Sequence, residues 1–203
     1  MIKLFKALPG VKVYLDMNPN TFDNMYFKEG TYCNKLETHI LAWSLQHIPG
    51  DYIELGVNTG TTAHNVCRNN PDKTIYGVDW IANTTLHYSQ RQEIPTQEGI
   101  GVMCKDDRNF VLMIEDSSKV VIPESVGMVF IDGDHSYTGV KADTENVLKQ
   151  VPPGTVVFWH DYHLEGTGDK KHISINKYID TEIAPKLPIY QFINTWLIMT
   201  ITQ

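Results

Sequence analysis

From Tyr52 to Trp159 the chain alternates short, β-prone apolar runs with stretches whose apolar residues recur every three or four positions. The runs predict strands at Tyr52–Leu55, Thr74–Val78 (ending at Asp79), Ile100–Cys104, Val126–Ile131 and Thr155–Trp159. Alternation of this kind demands parallel neighbours with crossover helices on both faces. The expected fold class is therefore α/β, a Rossmann-like, doubly wound, mostly parallel sheet. Val126–Ile131 is apolar throughout, as a strand covered on both faces should be. Helical spacing predicts Asn34–His47, Thr61–Asn70, Arg108–Asp116 (Phe110, Val111 and Ile114 as its apolar face) and Tyr137–Val151. Pro49-Gly50 and Pro152-Pro153-Gly154 end two of these helices. After Leu164 the rhythm changes to a loop with Gly166 and Gly168 and a short helix around Ile175–Ile183. Ile189–Ile193 and Trp196–Ile201 then pair across Asn194-Thr195 as a C-terminal antiparallel hairpin. Residues 1–33 read as an irregular lid or packing segment, with 34–203 as a single domain.

A chain of 203 residues suits one domain with small additions. Its net charge of −7 disfavours a nucleic-acid backbone or an anionic membrane as partner; Lys170-Lys171-His172 is the one basic cluster and reads as a solvated loop. No run of about 18 apolar residues is present to span a bilayer. The three cysteines, Cys33, Cys67 and Cys104, are widely spaced and lack a CxxC pattern, which disfavours a disulfide framework or a zinc ribbon. Cys67 and Cys104 read as small buried hydrophobes. A reducing, cytoplasmic setting is expected.

Two constellations carry chemistry. The first is Glu54 with Gly56, Asn58 and Gly60, on a strand that ends in glycines and feeds a helix. Glycines there let backbone approach a ligand closely. A diphosphate prefers bare N–H groups at a helix start and is repelled by an acid. Glu54 instead suits a ligand bearing an ammonium group, which points to S-adenosyl-L-methionine rather than a dinucleotide. Asp79, at the end of the next strand, can accept from two vicinal ribose hydroxyls, and Trp80 can lie against an adenine. The bland alternatives are a turn residue and a core aromatic. Asp106 or Asp107 can reach the adenine amino group, or Asp107 can cap a helix starting at Arg108.

The second constellation sits where two adjacent parallel strands end, in Ile131-Asp132-Gly133-Asp134-His135-Ser136-Tyr137 and Trp159-His160-Asp161-Tyr162-His163. Neighbouring strands lie about 4.8 Å apart, so Asp132, His160 and Asp161 can converge on one cation. Hard oxygen donors with open positions suit Mg²⁺, and the imidazole also accepts Mn²⁺ or Fe²⁺. His135 lies near enough to act as a general base. Structural readings stand beside these: Asp-Gly forms turns, Asp134 can cap the helix at Tyr137, and His160 can be a supporting group. His163 and His172 receive no role.

With these residues assembled, the chain resembles the class I S-adenosylmethionine-dependent methyltransferases. Within them it is similar to the metal-dependent O-methyltransferase group that includes macrocin-type and mycinamicin-type sugar methyltransferases. The likeness runs from Leu36 to Gln203 and is most distinctive from Val129 to Tyr162. It implies a reversed last strand, which the terminal hairpin matches. It also implies a first cofactor motif at Glu54, Gly56 and Gly60, a ribose-binding acid at Asp79, metal ligands at Asp132 and Asp161, and a base at His135. His160 departs from the pattern, because relatives usually place an acid there, before the final Asp or Asn.

The expected activity is transfer of a methyl group from a sulfonium to a hydroxyl, with Asp132 and His135 catalytic. The partner would be a small-molecule acceptor, a sugar in preference to a catechol, and a homo-oligomer is compatible with this. Two rivals are a nicotinamide-dependent oxidoreductase or epimerase, which predicts the Gly-x-Gly-x-x-Gly that Gly56-Val57-Asn58-Thr59-Gly60 lacks, and a catalytically silent S-adenosylmethionine-binding module.

Overall fold

The computed structural model describes residues 9–10, 12–30, 33–80, 99–163 and 173–203. Eight strands form one sheet: β1 (Lys12–Leu15), β2 (Asp51–Leu55), β3 (Ile75–Asp79), β4 (Phe110–Ile114), β5 (Val126–Ile131), β6 (Val156–Trp159), β7 (Ile189–Phe192) and β8 (Ile198–Ile201). Their order is β1-β7-β8-β6-β5-β2-β3-β4. β8 runs antiparallel to both β6 and β7, and the other pairings are parallel. Helices α1 (Lys35–His47), α2 (Thr61–Asn69), α3 (Tyr137–Gln150) and α4 (Ile173–Tyr178) complete the fold, α4 continuing as a π-helical turn over Ile179–Ile183.

Period-two alternation sorts each central strand between two cores. On one face Tyr52, Met128, Phe130 and Phe158 pack with Ile40, Leu41 and Leu45 of α1 and Ala63 and Val66 of α2. On the other, Ile53, Leu55, Val129, Ile131 and Trp159 pack with Val140 and Val147 of α3 and with Tyr178 and Ile179. Full burial of each such aliphatic side chain contributes roughly 1.5–3 kcal/mol, so the sheet is held from both sides. The strand order reverses at β2, between β3 and β5. That reversal opens a crevice beyond the carboxyl ends of β2 and β5.

Three expectations fail in informative ways. Ile100–Cys104 is not a strand: Gly101 takes a left-handed φ of +65° and Val102–Cys104 forms a 3₁₀ turn. Arg108–Asp116 is not a helix, because Phe110–Ile114 pairs in parallel with β3. Five consecutive apolar residues satisfy helical and strand spacing alike, and the open hydrogen-bonding edge of β3 decides between them. The segment 1–33, read as irregular, supplies β1 at the far edge, and Lys12 of β1 meets Asp180 at 2.8 Å. The loop expected at Gly166 and Gly168 and the basic cluster Lys170, Lys171 and His172 lie outside the described residues. Among the described residues no helix is long and apolar enough to cross a membrane.

The crevice exists because two chain segments touch where β2 and β5 end. Gly56 has φ +93°, and a Cβ there would lie 2.7 Å from the Gly133 Cα and closer still to the Asp132 carbonyl. Gly154 has the same φ of +93° but open space around it. Comparing the two separates backbone strain from close approach. Gly154→Ala is expected to cost about 1 kcal/mol of unfolding free energy, and Gly56→Ala about 3 kcal/mol or more. Urea unfolding of both variants checks this, and equal losses would refute the close-approach account.

Candidate active site

The cradle begins where β2 leaves the sheet. Gly56, Asn58 and Gly60 all take left-handed φ values (+93°, +48° and +86°), and α2 starts at Thr61. Backbone N–H groups of Gly56 and Val57 bond the Val78 carbonyl at 2.8 and 3.0 Å, which ties the loop to β3. Glu54, Gly56, Asn58 and Asp132 line one cleft with Gly30 and Thr61. Glu54 is buried and accepts from the Tyr52 hydroxyl at 2.9 Å. Burial pushes its carboxyl up to about 8; the Tyr52 bond opposes this, and the charges of Asp132 and Asp79 add to it. The Asp79 carboxylate accepts from the backbone N–H of Asn58 (2.7 Å) and of Trp80 (2.8 Å). Burial raises Asp79 and those two bonds oppose the rise. Trp80 is exposed beside it.

On the α2 side, Asp106 is exposed and Asp107 is already engaged, its Oδ2 lying 2.6 Å from His64 Nδ1. No helix starts at Arg108 for Asp107 to cap, so that expectation is corrected. His64 Nε2 lies 3.1 Å from the Tyr26 hydroxyl. Asn69 exchanges two hydrogen bonds with the Tyr26 backbone and Asn65 two with that of Lys28. A strap is thereby laid along α2, leading to Gly30 at the cleft. Asn65 and Asn69 imitate a neighbouring strand with their amides, a pairing no hydropathy pattern announces.

The acids and imidazoles at the ends of β5 and β6 do converge. Asp132, His135 and Asp161 offer ligand atoms all within 4.8 Å of one another, and so do Cys33, Asp132 and His160. His135 Nδ1 lies 2.8 Å from Asp161 Oδ2, and its Nε2 is 3.7 Å from Asp132 Oδ1. His160 Nδ1 lies 3.2 Å from Asp132 and 3.4 Å from Asp161. Asp161 itself holds a left-handed φ of +59°, the kind of strain that persists where surroundings over-determine a residue. Burial works against the charge on both histidines. For His135 the Asp161 bond and the carboxylates outweigh it, and for His160 Cys33 and Asp132 do, so both sit above the usual imidazole range. Asp134 does not cap α3: Ser136 does, accepting from the Gly139 N–H at 3.0 Å, while Asp134 accepts from the Ser136 N–H at 2.9 Å.

Four site residues escaped the sequence reading. Glu37 is buried on α1 and lies 3.3 Å from His160 Nε2. It also accepts from the backbone N–H groups of Asn34 (2.8 Å) and Trp196 (2.7 Å). Its signal was present as Asn34-x-x-Glu37, a capping box, but that pattern announces only a helix start. Cys33 is buried beside His160; burial drives its thiol up to about 11 and the His160 charge pulls it down. His163, given no role, is buried with its Nε2 4.0 Å from Asp161. Trp196 lies over His163, ring centroids 4.2 Å apart. A carboxylate behind His160 is how outer groups orient a ligating imidazole. Two carboxylates and an imidazole are also the donor chemistry of Mg²⁺ or Mn²⁺ sites, so these residues fit a divalent ion.

Residues 53–162, just over half of the 203, match the methyltransferase domain family. No curated protein matches the chain. Among solved structures, CalS11, a TDP-rhamnose 3'-O-methyltransferase of calicheamicin biosynthesis, shares 17% identity at a TM-score of 0.57, over 82% of this chain and 77% of that one. An O-methyltransferase from Bacillus cereus in complex with SAH shares 13% at 0.56, over 91% and 87%. The SAH-bound methyltransferase PaMTH1 of Podospora anserina shares 10% at 0.61, over 83% and 78%. At such identities these likenesses speak to fold. With the family match and the strand order, they lead to one conclusion: the chain belongs to the methyltransferase-domain family and is a class I, S-adenosylmethionine-dependent methyltransferase.

Proposed function

We propose that this chain methylates a hydroxyl of a small polyhydroxy acceptor, a sugar in first place, with a divalent cation, Mg²⁺ or Mn²⁺, held by Asp132, Asp161 and His160. The observation that carries the reading is that His160 Nδ1 lies 3.2 Å from Asp132 and 3.4 Å from Asp161 beside the glycine cradle, with His135 gathered on the same two carboxylates. The O-methyltransferase neighbours support it, CalS11 acting on a sugar nucleotide. On this reading residues 34–203 are the catalytic domain, and residues 1–33 include the strap that reaches the cleft.

S-adenosylmethionine supplies a methyl group on a sulfonium, and a divalent cation would acidify the acceptor hydroxyl. The protein's own residues do the rest. Gly56 and Gly60 leave room for the donor, Glu54 faces its ammonium, Asp79 its ribose, and Trp80 with Asp106 or Asp107 the adenine side. Asn58 holds Asp79 in place. Asp161 holds His135 Nδ1 at 2.8 Å and so orients the ring, and Nε2, 3.7 Å from Asp132 Oδ1, would be the atom that takes a proton. It accepts the hydroxyl proton as the C–O bond forms and the C–S bond breaks, leaving a neutral thioether. Positioning of donor and acceptor in line supplies much of the barrier reduction. The strap and the buried Glu37 serve that positioning.

Two tests follow. His135→Ala and Asp132→Asn are expected to lower turnover by about 10²–10⁴-fold while SAH affinity changes little. The assay is labelled-methyl incorporation over a glycan and small-phenol panel, with and without chelator; turnover that persists in both variants removes the assignment. Mn²⁺ binding followed by electron paramagnetic resonance should weaken in Asp132→Asn, which reads the metal independently of activity.

Glu54 makes donor binding pH-dependent. Its carboxyl titrates at about 8 in the folded, ligand-free chain against an ordinary 4.5. A raised acid stabilises the fold fully below its unfolded value, and that contribution disappears as pH rises through the folded one. Ligand-free stability should therefore fall between about pH 4.5 and 8. An ammonium placed at Glu54 favours its ionised form, so binding near pH 7 should release a proton and tighten as pH rises towards 8. Calorimetry of SAH in two buffers of different ionisation enthalpy measures this, and Glu54→Gln should abolish the release.

A further inference from the structure

The start of α1 brings two groups to one imidazole. Cys33 precedes the Asn34 cap and Glu37 follows it by three residues. A capping box ties this turn together: Glu37 accepts from the Asn34 backbone N–H at 2.8 Å, and its own N–H donates to Asn34 Oδ1 at 3.0 Å. Glu37 lies 3.3 Å from His160 Nε2, while His160 Nδ1 faces Asp132 at 3.2 Å. An outer carboxylate on one ring nitrogen is how proteins orient a ligating imidazole. Cys33 hydrogen-bonds the same imidazole, and ligand atoms of Cys33, Asp132 and His160 all lie within 4.8 Å of one another. Cys33 and His160 are buried, whereas Asp132 lines the cleft of Glu54 and Gly56 and gives the trio an open side. The other two cysteines stand apart. Cys104 Sγ donates to the Gly60 carbonyl at 3.1 Å and pairs with Cys67.

We infer that Cys33, Asp132 and His160 form a seat for a thiophilic divalent cation of the Zn²⁺ class, which competes with the Mg²⁺ or Mn²⁺ of methyl transfer. A thiolate, an imidazole and a carboxylate are Zn²⁺ donors, and a sulfur ligand disfavours Mg²⁺. The oxygen-richer trio of Asp132, His135 and Asp161 suits the harder ion. Asp132 belongs to both trios, so the two ions exclude each other. Only the thiolate ligates, so the Cys33 proton passes to solvent as the sulfur–metal bond forms. An ion in this seat withdraws Asp132 and His160 from the acceptor hydroxyl and thereby inhibits transfer. The competition rests on the cation-assisted methyl-transfer reading; the seat itself stands without it.

The experiment titrates the full chain with Co²⁺, a stand-in for Zn²⁺ whose bond to a thiolate gives a charge-transfer band in the near ultraviolet. Wild type, Cys33→Ser and the double variant Cys67→Ser/Cys104→Ser are compared. The band is expected in the wild type and in the double variant, where Cys33 is the one cysteine left, and absent from Cys33→Ser. Electron paramagnetic resonance then follows bound Mn²⁺ as Zn²⁺ is added. Zn²⁺ should displace Mn²⁺ from the wild type, and Cys33→Ser should need about tenfold more or beyond, at least the cost of losing a group that merely orients a ligand. A wild type without the band overturns the seat, and so does a band that survives in Cys33→Ser. Mn²⁺ that stays bound to the wild type under excess Zn²⁺ overturns the competition. A wild type that shows the band but binds no Mn²⁺ is a different outcome: the seat stands and the cation-assisted reading falls. The band in the double variant assigns the sulfur to Cys33 even where Cys33→Ser fails to fold.

Discussion

A single buried carboxylate joins three segments beside the acid and imidazole cluster. Glu37 reaches from the first turn of α1 to the Asn34 N–H, to the Trp196 N–H in the β7–β8 turn and to His160 at the end of β6. These three segments are far apart in the chain. Without Glu37 the Trp196 N–H would lose its acceptor and His160 its outer partner. Removing one member of a buried polar network leaves the others unsatisfied, which costs more than the bond itself contributes. The acid earns its burial only through this convergence.

The glycine cradle rests on crowding of a different sort. Glu54, Asp79, Asp132 and Asp161 lie around one crevice, and burial raises the first two. Such a gathering of acids is unfavourable in a protein alone. His135 and His160 relieve part of it, both held above their usual range by their neighbours. The electrostatics thus favour positive charge on both sides of Asp132, which the proposed ammonium-bearing donor at Glu54 and the proposed divalent ion at the strand ends would supply. A cold accounting of the same residues by hydrophobicity would register only polar positions in an apolar core.

Much of the fold was legible because the β2-to-β6 region repeats one physical unit. Val126–Ile131 and Thr155–Trp159 could only be covered strands, and the helices between them carried clear apolar faces. Legibility failed where a run was short. Phe110–Ile114 fits two periodicities, and β3's unpaired edge, a tertiary fact, selected the strand. β1 failed for the same reason: Lys12–Leu15 is partly exposed and becomes a strand only because β7 offers it an edge. Asp132, His135, His160 and Asp161 were expected together because strand ends share a crevice, and the fold does bring them together. Glu37, Cys33 and Trp196 were not, because each joins the cluster across a long sequence separation, and His163, only two residues from Asp161, was passed over as a loop residue.

The order of residues alone determined β2, β3, β5, β6 and the terminal hairpin, their helical cover and the placing of glycines and acids at strand ends, since those follow from local periodicity and backbone sterics. Only the folded chain decided which atoms meet: that Asp107 turns to His64, that Asp161 holds Nδ1 of His135, and that Glu37 joins His160 to Trp196. The reason is that contacts between distant segments are set by how packed elements come to lie together, and no spacing along a chain encodes the distance between two side chains carried on different elements.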